Sequence, residues 1–186
     1  MNTITNYKLK DFLKKDDDLI NDYVSVLNLV KWEDTTTKRP LINLKVKHIE
    51  SIKEIFSKEF QDDEDLIFCI KKVQKLSEKE VFNLEIKEFF RLKYSIQIQL
   101  EDLLSLESNA LTNQNTDAKF LAVDGASRLE KFGIYNTLDA LAKGDILKYK
   151  EKLNLSYNLV FTKLLLDKTT NDIQHDMNNI KTTKHN

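Results

Sequence analysis

Glycine occurs only three times in these 186 residues, and proline and cysteine once each. Glycines at positions 125, 133 and 144 alone cannot build a phosphate-cradling loop, which removes nucleotide binding of the P-loop or Rossmann kind. The same shortage argues against an all-β fold, whose closely spaced tight turns draw on Gly and Pro. A single cysteine excludes an internal disulfide. Its place in the apolar run Leu66-Ile67-Phe68-Cys69-Ile70 predicts a buried, inert thiol. One Cys with His48, His175 and His185 is too little for a structural zinc site, and no Glu-x-x-His pair of the di-iron kind occurs. No cofactor is expected. Arginine is confined to Arg39, Arg91 and Arg128, and the net charge is -1. Neither fact suits phosphate recognition, so nucleic acid is not an expected partner.

No apolar run approaches the roughly 20 residues that span a bilayer, and Met1 to Lys8 lack the apolar core of a secretory signal. The expectation is a cytoplasmic protein with no membrane partner. There is no internal repeat of fixed period and no heptad run long enough for a free-standing coiled coil.

What is present reads as helix. Hydrophobic residues make up 41% and charged residues 32%, a globular mixture. Leu9, Phe12 and Leu13 share helical spacing, as do Leu19, Ile20, Tyr23, Val24 and Leu27 behind Asp16-Asp17-Asp18. Lys31 to Asn43, with Thr35-Thr36-Thr37 and Pro40, reads as a loop or short hairpin. A third helix puts Ile49, Ile52, Phe56 and Phe60 on one face. Asp62-Asp63-Glu64-Asp65 opens a fourth.

Ser77-Glu78-Lys79-Glu80 is a capping box. It begins the longest expected element, a helix over about 77–108 with an apolar stripe through Phe82, Ile86, Phe89, Phe90, Lys93, Ile96, Leu100, Leu103 and Leu104. Tyr94, Ile96, Ile98 and Leu100 also alternate, which keeps a strand open for residues 93–100. Asn109 to Thr116 is a polar loop, and Asp117 caps a helix that runs to about Lys131. Gly133 and Gly144 sit where helices need a left-handed residue to end, with a short helix between them. Asp145 caps another short helix, and Ser156 caps a long final one. The expected fold is mainly α, a helical bundle with a long central helix. A smaller N-terminal helical lobe (residues 1–75) precedes a main domain (76–180) and a polar tail (181–186).

The acidic run at 62–65 lacks the alternating ligands and central glycine of an EF-hand, so it reads as a solvated helix start. Asp124 and Arg128, four apart, read as a helix-surface ion pair. Trp32, in polar surroundings, suits an interface anchor. Ala122, Gly125 and Ala126 form a small-residue patch that another helix could approach closely, and Tyr149 and Tyr157 complete the candidate interface.

Gly144-Asp145-Ile146-Leu147-Lys148-Tyr149, followed by Leu153-Asn154-Leu155-Ser156-Tyr157-Asn158-Leu159-Val160-Phe161, resembles a pattern in bacteriophage tail-assembly and virion proteins. The stretch Leu129 to Leu138 is compatible with it. The resemblance covers residues 129–165, and Ser156 stands where those proteins usually carry a proline before the tyrosine. It implies a non-enzymatic structural or assembly role in the bacterial host or in the virion. The implied partners are other protein subunits, in a homo-oligomer or a larger virion assembly. It implies no catalytic residue. A regulatory binding module, using Lys45-Val46-Lys47-His48 and Lys148-Tyr149-Lys150 as a basic face, is the alternative.

Overall fold

Acidic and hydroxyl side chains start several of the helices. The computed structural model describes residues 7–14, 18–30, 32, 37–112 and 118–183, with backbone only at 18–21, 179 and 181–183. In chain order the helices are α1 (Leu9–Phe12), α2 (Asp18–Leu29), α3 (Val46–Ser57), α4 (Asp63–Gln74), α5 (Glu78–Phe82) and α6 (Ile86–Leu111). They continue with α7 (Ala118–Ala122), α8 (Gly125–Glu130), α9 (Ile134–Ala142), α10 (Tyr149–Leu153) and α11 (Tyr157–Thr183). Single 3₁₀ turns occupy Leu41–Asn43 and Ile146–Lys148. The fold is mainly α, a helical bundle with one long helix in α6, and the described residues hold no strand beyond two isolated bridges.

The capping signals act as their chemistry predicts. The Asp62 carboxylate accepts from Asp65 N–H at 2.8 Å, and Asp145 Oδ1 accepts from Leu147 N–H at 3.1 Å. Ser77 and Glu80 form the reciprocal capping box. The expected helix over 77–108 is nevertheless broken: α5 ends at Phe82 and α6 begins at Ile86. A distant pairing enforces the break. Leu9 N–H donates to Leu84 C=O and Ile86 N–H to Tyr7 C=O, each at 2.9 Å, across an antiparallel bridge between Lys8 and Glu85. The two helix starts so satisfy each other's first orphan N–H. Residues 93–100 are helix.

Other boundaries also moved. α6 takes in Asn109 to Leu111, which the sequence places in a loop. Asp117 lies outside the described residues, as do Asp16, Asp17, Thr35, Thr36 and His185. The helix expected up to Lys131 is two short ones, parted at Val123-Asp124, where Asp124 is left-handed at φ 52°. Phe60 is past the end of α3 and 81% exposed; Ile55 takes its place beside Ile49 and Ile52. The left-handed C-cap of α9 is Lys143 (φ 55°), with Gly144 following at φ 80°. Gly144 N–H reaches back to Asp139 C=O at 3.0 Å, the longer bond of a Schellman ending. Gly133, at φ 48° and ψ -125°, precedes α9 in a conformation open mainly to glycine. α11 extends through Lys181 to Thr183.

The chain divides into two compact units, residues 1–44 with 51–103 and residues 45–50 with 104–186. Lys75, the expected lobe boundary, is the left-handed C-cap of α4. The first unit holds most of the buried apolar side chains, among them Leu9, Ile52, Ile70, Ile86, Phe89 and Ile96. Gln99 links its loop to α6: its Oε1 accepts from Leu41 N–H at 3.1 Å and its Nε2 donates to Thr37 Oγ1 at 3.0 Å.

One local device recurs. Asn43-Leu44-Lys45-Val46, Asn83-Leu84-Glu85-Ile86 and Asn154-Leu155-Ser156-Tyr157 each join a short helical turn to a longer helix. In all three the Asn and Leu N–H groups donate to carbonyls three residues back. The third residue's carbonyl then accepts from an N–H of the new helix four residues on. The third residue also forms the bridge: Glu85 pairs with Lys8 in the first unit, and Ser156 with Lys45 in the second.

Candidate functional site

The second unit is short of core. α9 and α10 pack around Leu138 and Ala142, and α11 contributes Tyr157, Val160 and Phe161 near its start. Tyr149 Oη donates to Asp139 Oδ1 at 2.6 Å, which holds the Tyr149 hydroxyl above its ordinary pKa. Its ring lies 6.3 Å from that of Tyr135. Beyond these contacts large apolar side chains stay in water, including Leu121, Val123, Phe132, Tyr135 and Ile146, with Leu147 at 88% exposure. Scattered exposed apolar residues are ordinary, but here they concentrate in one unit.

The concentration is most ordered on α11. Leu159, Leu166, Ile173 and Ile180 recur at seven-residue spacing and are 57%, 60%, 56% and 60% exposed, with Met177 beside the last two. Past Phe161 no described side chain of α11 is buried. Two ion pairs within the helix, Lys163–Asp167 and Lys168–Asp172, support it at i,i+4 spacing. The sequence contains this seven-residue recurrence, but Leu164 and Leu165 beside Leu166 obscure it by widening the stripe.

The six candidate interface residues do not gather at one place. Trp32 is half-exposed in the first unit, and its neighbours at 31 and 33–36 lie outside the described residues. In the second unit Ala122 and Ala126 are exposed, whereas Gly125 is buried. A Cβ at Gly125 would stand 2.3 Å from Phe120 Cε2, so the glycine, though not the two alanines, is covered by an aromatic ring of its own segment. Tyr149 is half-exposed and tied to Asp139 and Tyr135, while Tyr157 is buried at the first position of α11.

The reactive and titratable groups singled out in the sequence are mostly engaged locally. Cys69 is fully buried, and burial pushes its thiol up to about 12, where it has no thiolate character at neutral pH. In the acidic run, Asp62 caps α4 and Asp65 pairs with Lys58 at 2.5 Å. Asp124 meets Arg128 through the backbone, Arg128 N–H to Asp124 C=O at 3.2 Å, and not through the expected side-chain ion pair. His175 lies beside Asp176 at 3.6 Å, and His48 is half-exposed on α3. Lys148, in one of the two basic clusters, is paired with Asp145 at 3.0 Å. Among the described residues no three His, Cys, Asp or Glu side chains come together to hold a metal, and no helix is long and apolar enough to cross a membrane.

Lys93 is the exception that sequence reasoning passed over. It lies within the apolar stripe of α6, and in the structure it lines a cavity of the first unit. The available signal was a lysine three residues from both Phe90 and Ile96, in register with the core.

No protein-family model, curated protein or solved structure matches the chain. Fold and surface define a mainly helical, two-unit protein with an open apolar second unit.

Proposed function

We propose that this chain is a non-enzymatic helical assembly protein acting through protein–protein contacts, a component or assembly factor of a bacteriophage virion or tail. The observation that carries the proposal is the exposed seven-residue stripe on α11, Leu159, Leu166, Ile173 and Ile180. A seven-residue apolar period matches a partner that is itself a helix, because two helices in a left-handed supercoil meet every 3.5 residues. The partner we assign is the same helix of another copy. The four stripe residues are uncharged; Lys163 and Asp176 lie on the flank, the lysine paired with Asp167 of the same helix and the aspartate 3.6 Å from His175. Two such stripes would meet at an apolar seam with one lysine and one aspartate at its edge. Full burial of a Leu or Ile contributes about 1.5–3 kcal/mol, and association costs roughly 4–15 kcal/mol, so pairing by this seam depends on concentration. The other exposed side chains of the second unit, Phe132, Tyr135 and Leu147 among them, supply further contacts in a larger assembly.

The test is the solution mass of the purified chain by light scattering behind a sizing column. A defined oligomer is expected, and Leu166→Glu with Ile173→Glu should return it to monomer. A monomer at every concentration would remove the self-assembly proposal. Mass spectrometry of purified phage particles tests membership of a virion, and its absence from them would remove that assignment.

A further inference from the structure

The first unit contains a cavity of about 300 Å³ among α1, α2, α4 and α6, at the lower end of the roughly 300–1,000 Å³ that small-molecule sites occupy. Leu9, Phe12, Leu66 and Phe89, all buried, form its apolar wall. Among the described residues two charged side chains reach it, Asp63 and Lys93, and no ion pair joins them. Lys93 Nζ donates instead to Asn28 Oδ1 at 2.6 Å and stands 6.0 Å from the centre of the Phe90 ring. A second cavity of about 160 Å³ shares Asn28, Phe90 and Lys93 with the first.

A half-buried ammonium whose only hydrogen-bond partner among the described residues is a neutral amide is an unfavourable arrangement, since a desolvated charge wants a countercharge. Burial accordingly holds Lys93 below its ordinary pKa. The arrangement becomes favourable when an anion arrives. Lysine offers three donors, and only one is engaged by Asn28. The Asn28 oxygen is taken, which leaves its NH₂ as a further donor next to the ammonium.

We propose that this cavity binds a small apolar monocarboxylate, its anionic end on Lys93 and the Asn28 amide and its hydrocarbon or aryl body against Leu9, Phe12, Leu66 and Phe89. One lysine balances one negative charge, and no arginine lines the cavity to match a phosphate. Asp63, which also lines the cavity, sets a limit. A ligand with a second anionic group would be repelled by this carboxylate.

Hexanoate and benzoate are titrated into the full chain, with hexanol and benzyl alcohol as uncharged matches, and binding is read by ligand-observed NMR and calorimetry. The acids are expected to bind roughly tenfold or more tightly than the alcohols. Lys93→Met should abolish that difference. Asn28→Ala, at an exposed position that leaves the core intact, should reduce it. Acids that bind no better than alcohols overturn the proposal. So does a folded Lys93→Met protein that keeps the preference, or the absence of binding by all four compounds.

Discussion

Asn154 repeats in the second unit the hydrogen bond that Asn83 makes in the first. Each side-chain amide donates to the carbonyl four residues back, Asn83 to Lys79 at 2.8 Å and Asn154 to Lys150 at 2.7 Å. Each closes the C-terminus of a five-residue helix whose last carbonyls have no intrahelical partner. The Leu that follows turns the chain, and the bridging residue after it begins the next helix. A small donor at this one place therefore lets a helix end and another start within three residues, without glycine.

Replacing either asparagine by alanine should cost about 1 kcal/mol, the net worth of one side-chain hydrogen bond. Aspartate should do worse at both positions. Its carboxylate cannot donate, and it would face the negative end of a helix. Urea unfolding of the four single variants measures this. Midpoints unchanged by alanine at both positions would mean that backbone bonds alone hold these turns.

Much of this architecture was legible in the sequence, and the failures have physical causes. Asp62, Ser77, Asp145 and Ser156 start helices as their side chains predict, because capping is a local interaction. The burial of Cys69 followed from its apolar neighbours. The break at residues 83–85 was hidden because Phe82, Ile86 and Phe89 keep helical spacing straight through it. Its cause, the pairing of Tyr7 and Leu9 with Leu84 and Ile86, is distant in sequence. The recurring Asn-Leu turns escaped because their spacing is irregular and no fixed period reveals them. Lys93 escaped because a lone lysine in an apolar stripe ordinarily carries its charge out to water along its stem.

The capping box supplies a pH-dependent contribution. Ser77 N–H donates to Glu80 Oε2 at 2.7 Å, and the hydroxyl lies 2.6 Å from the same oxygen. These hydrogen bonds from Ser77 hold the Glu80 carboxyl below its ordinary value of 4.5. The folded state thus favours the ionised form. Its contribution is complete above the unfolded value and is lost as pH falls through the lower folded one. Ser77→Ala should cost about 1 kcal/mol at neutral pH. The gap between variant and wild type should narrow once the pH drops below 4.5. Denaturation curves across that range check it, and a gap constant with pH would assign the whole effect to the serine hydroxyl.

Gly125 and Phe120 form a pair whose energetics can be separated. Alanine at residue 125 would place its Cβ 2.3 Å from Phe120 Cε2, so the ring must leave. Gly125→Ala should therefore destabilise the second unit, by about 1–3 kcal/mol on the scale of overpacking. With Phe120→Ala already in place the obstacle is gone, and the same change should stabilise through reduced backbone freedom, by about 0.4–1 kcal/mol. A double-mutant cycle read by thermal unfolding tests this reversal of sign. Equal effects in both backgrounds would show that the ring does not depend on the glycine.

Lys93 should lower the stability of the first unit in the absence of a ligand. Its folded pKa is below the ordinary 10.5 because burial penalises the ammonium. The sign follows from linkage: the penalty is fully present below the folded pKa, diminishes as pH rises through it, and is gone above the unfolded value. Lys93→Met keeps the length and the apolar stem while deleting the charge. At pH 7 its thermal midpoint should exceed that of wild type by on the order of a degree or two, because the side chain is only half-buried and solvent screens its charge. At about pH 11 the two proteins should melt together, both states of the lysine having lost the proton. A variant less stable than wild type at pH 7 would mean that the 2.6 Å bond to Asn28 outweighs the desolvation of the ammonium. In that case Lys93 and Asn28 would be a structural clasp between α6 and α2, and the cavity would lose its main reason for needing an anion.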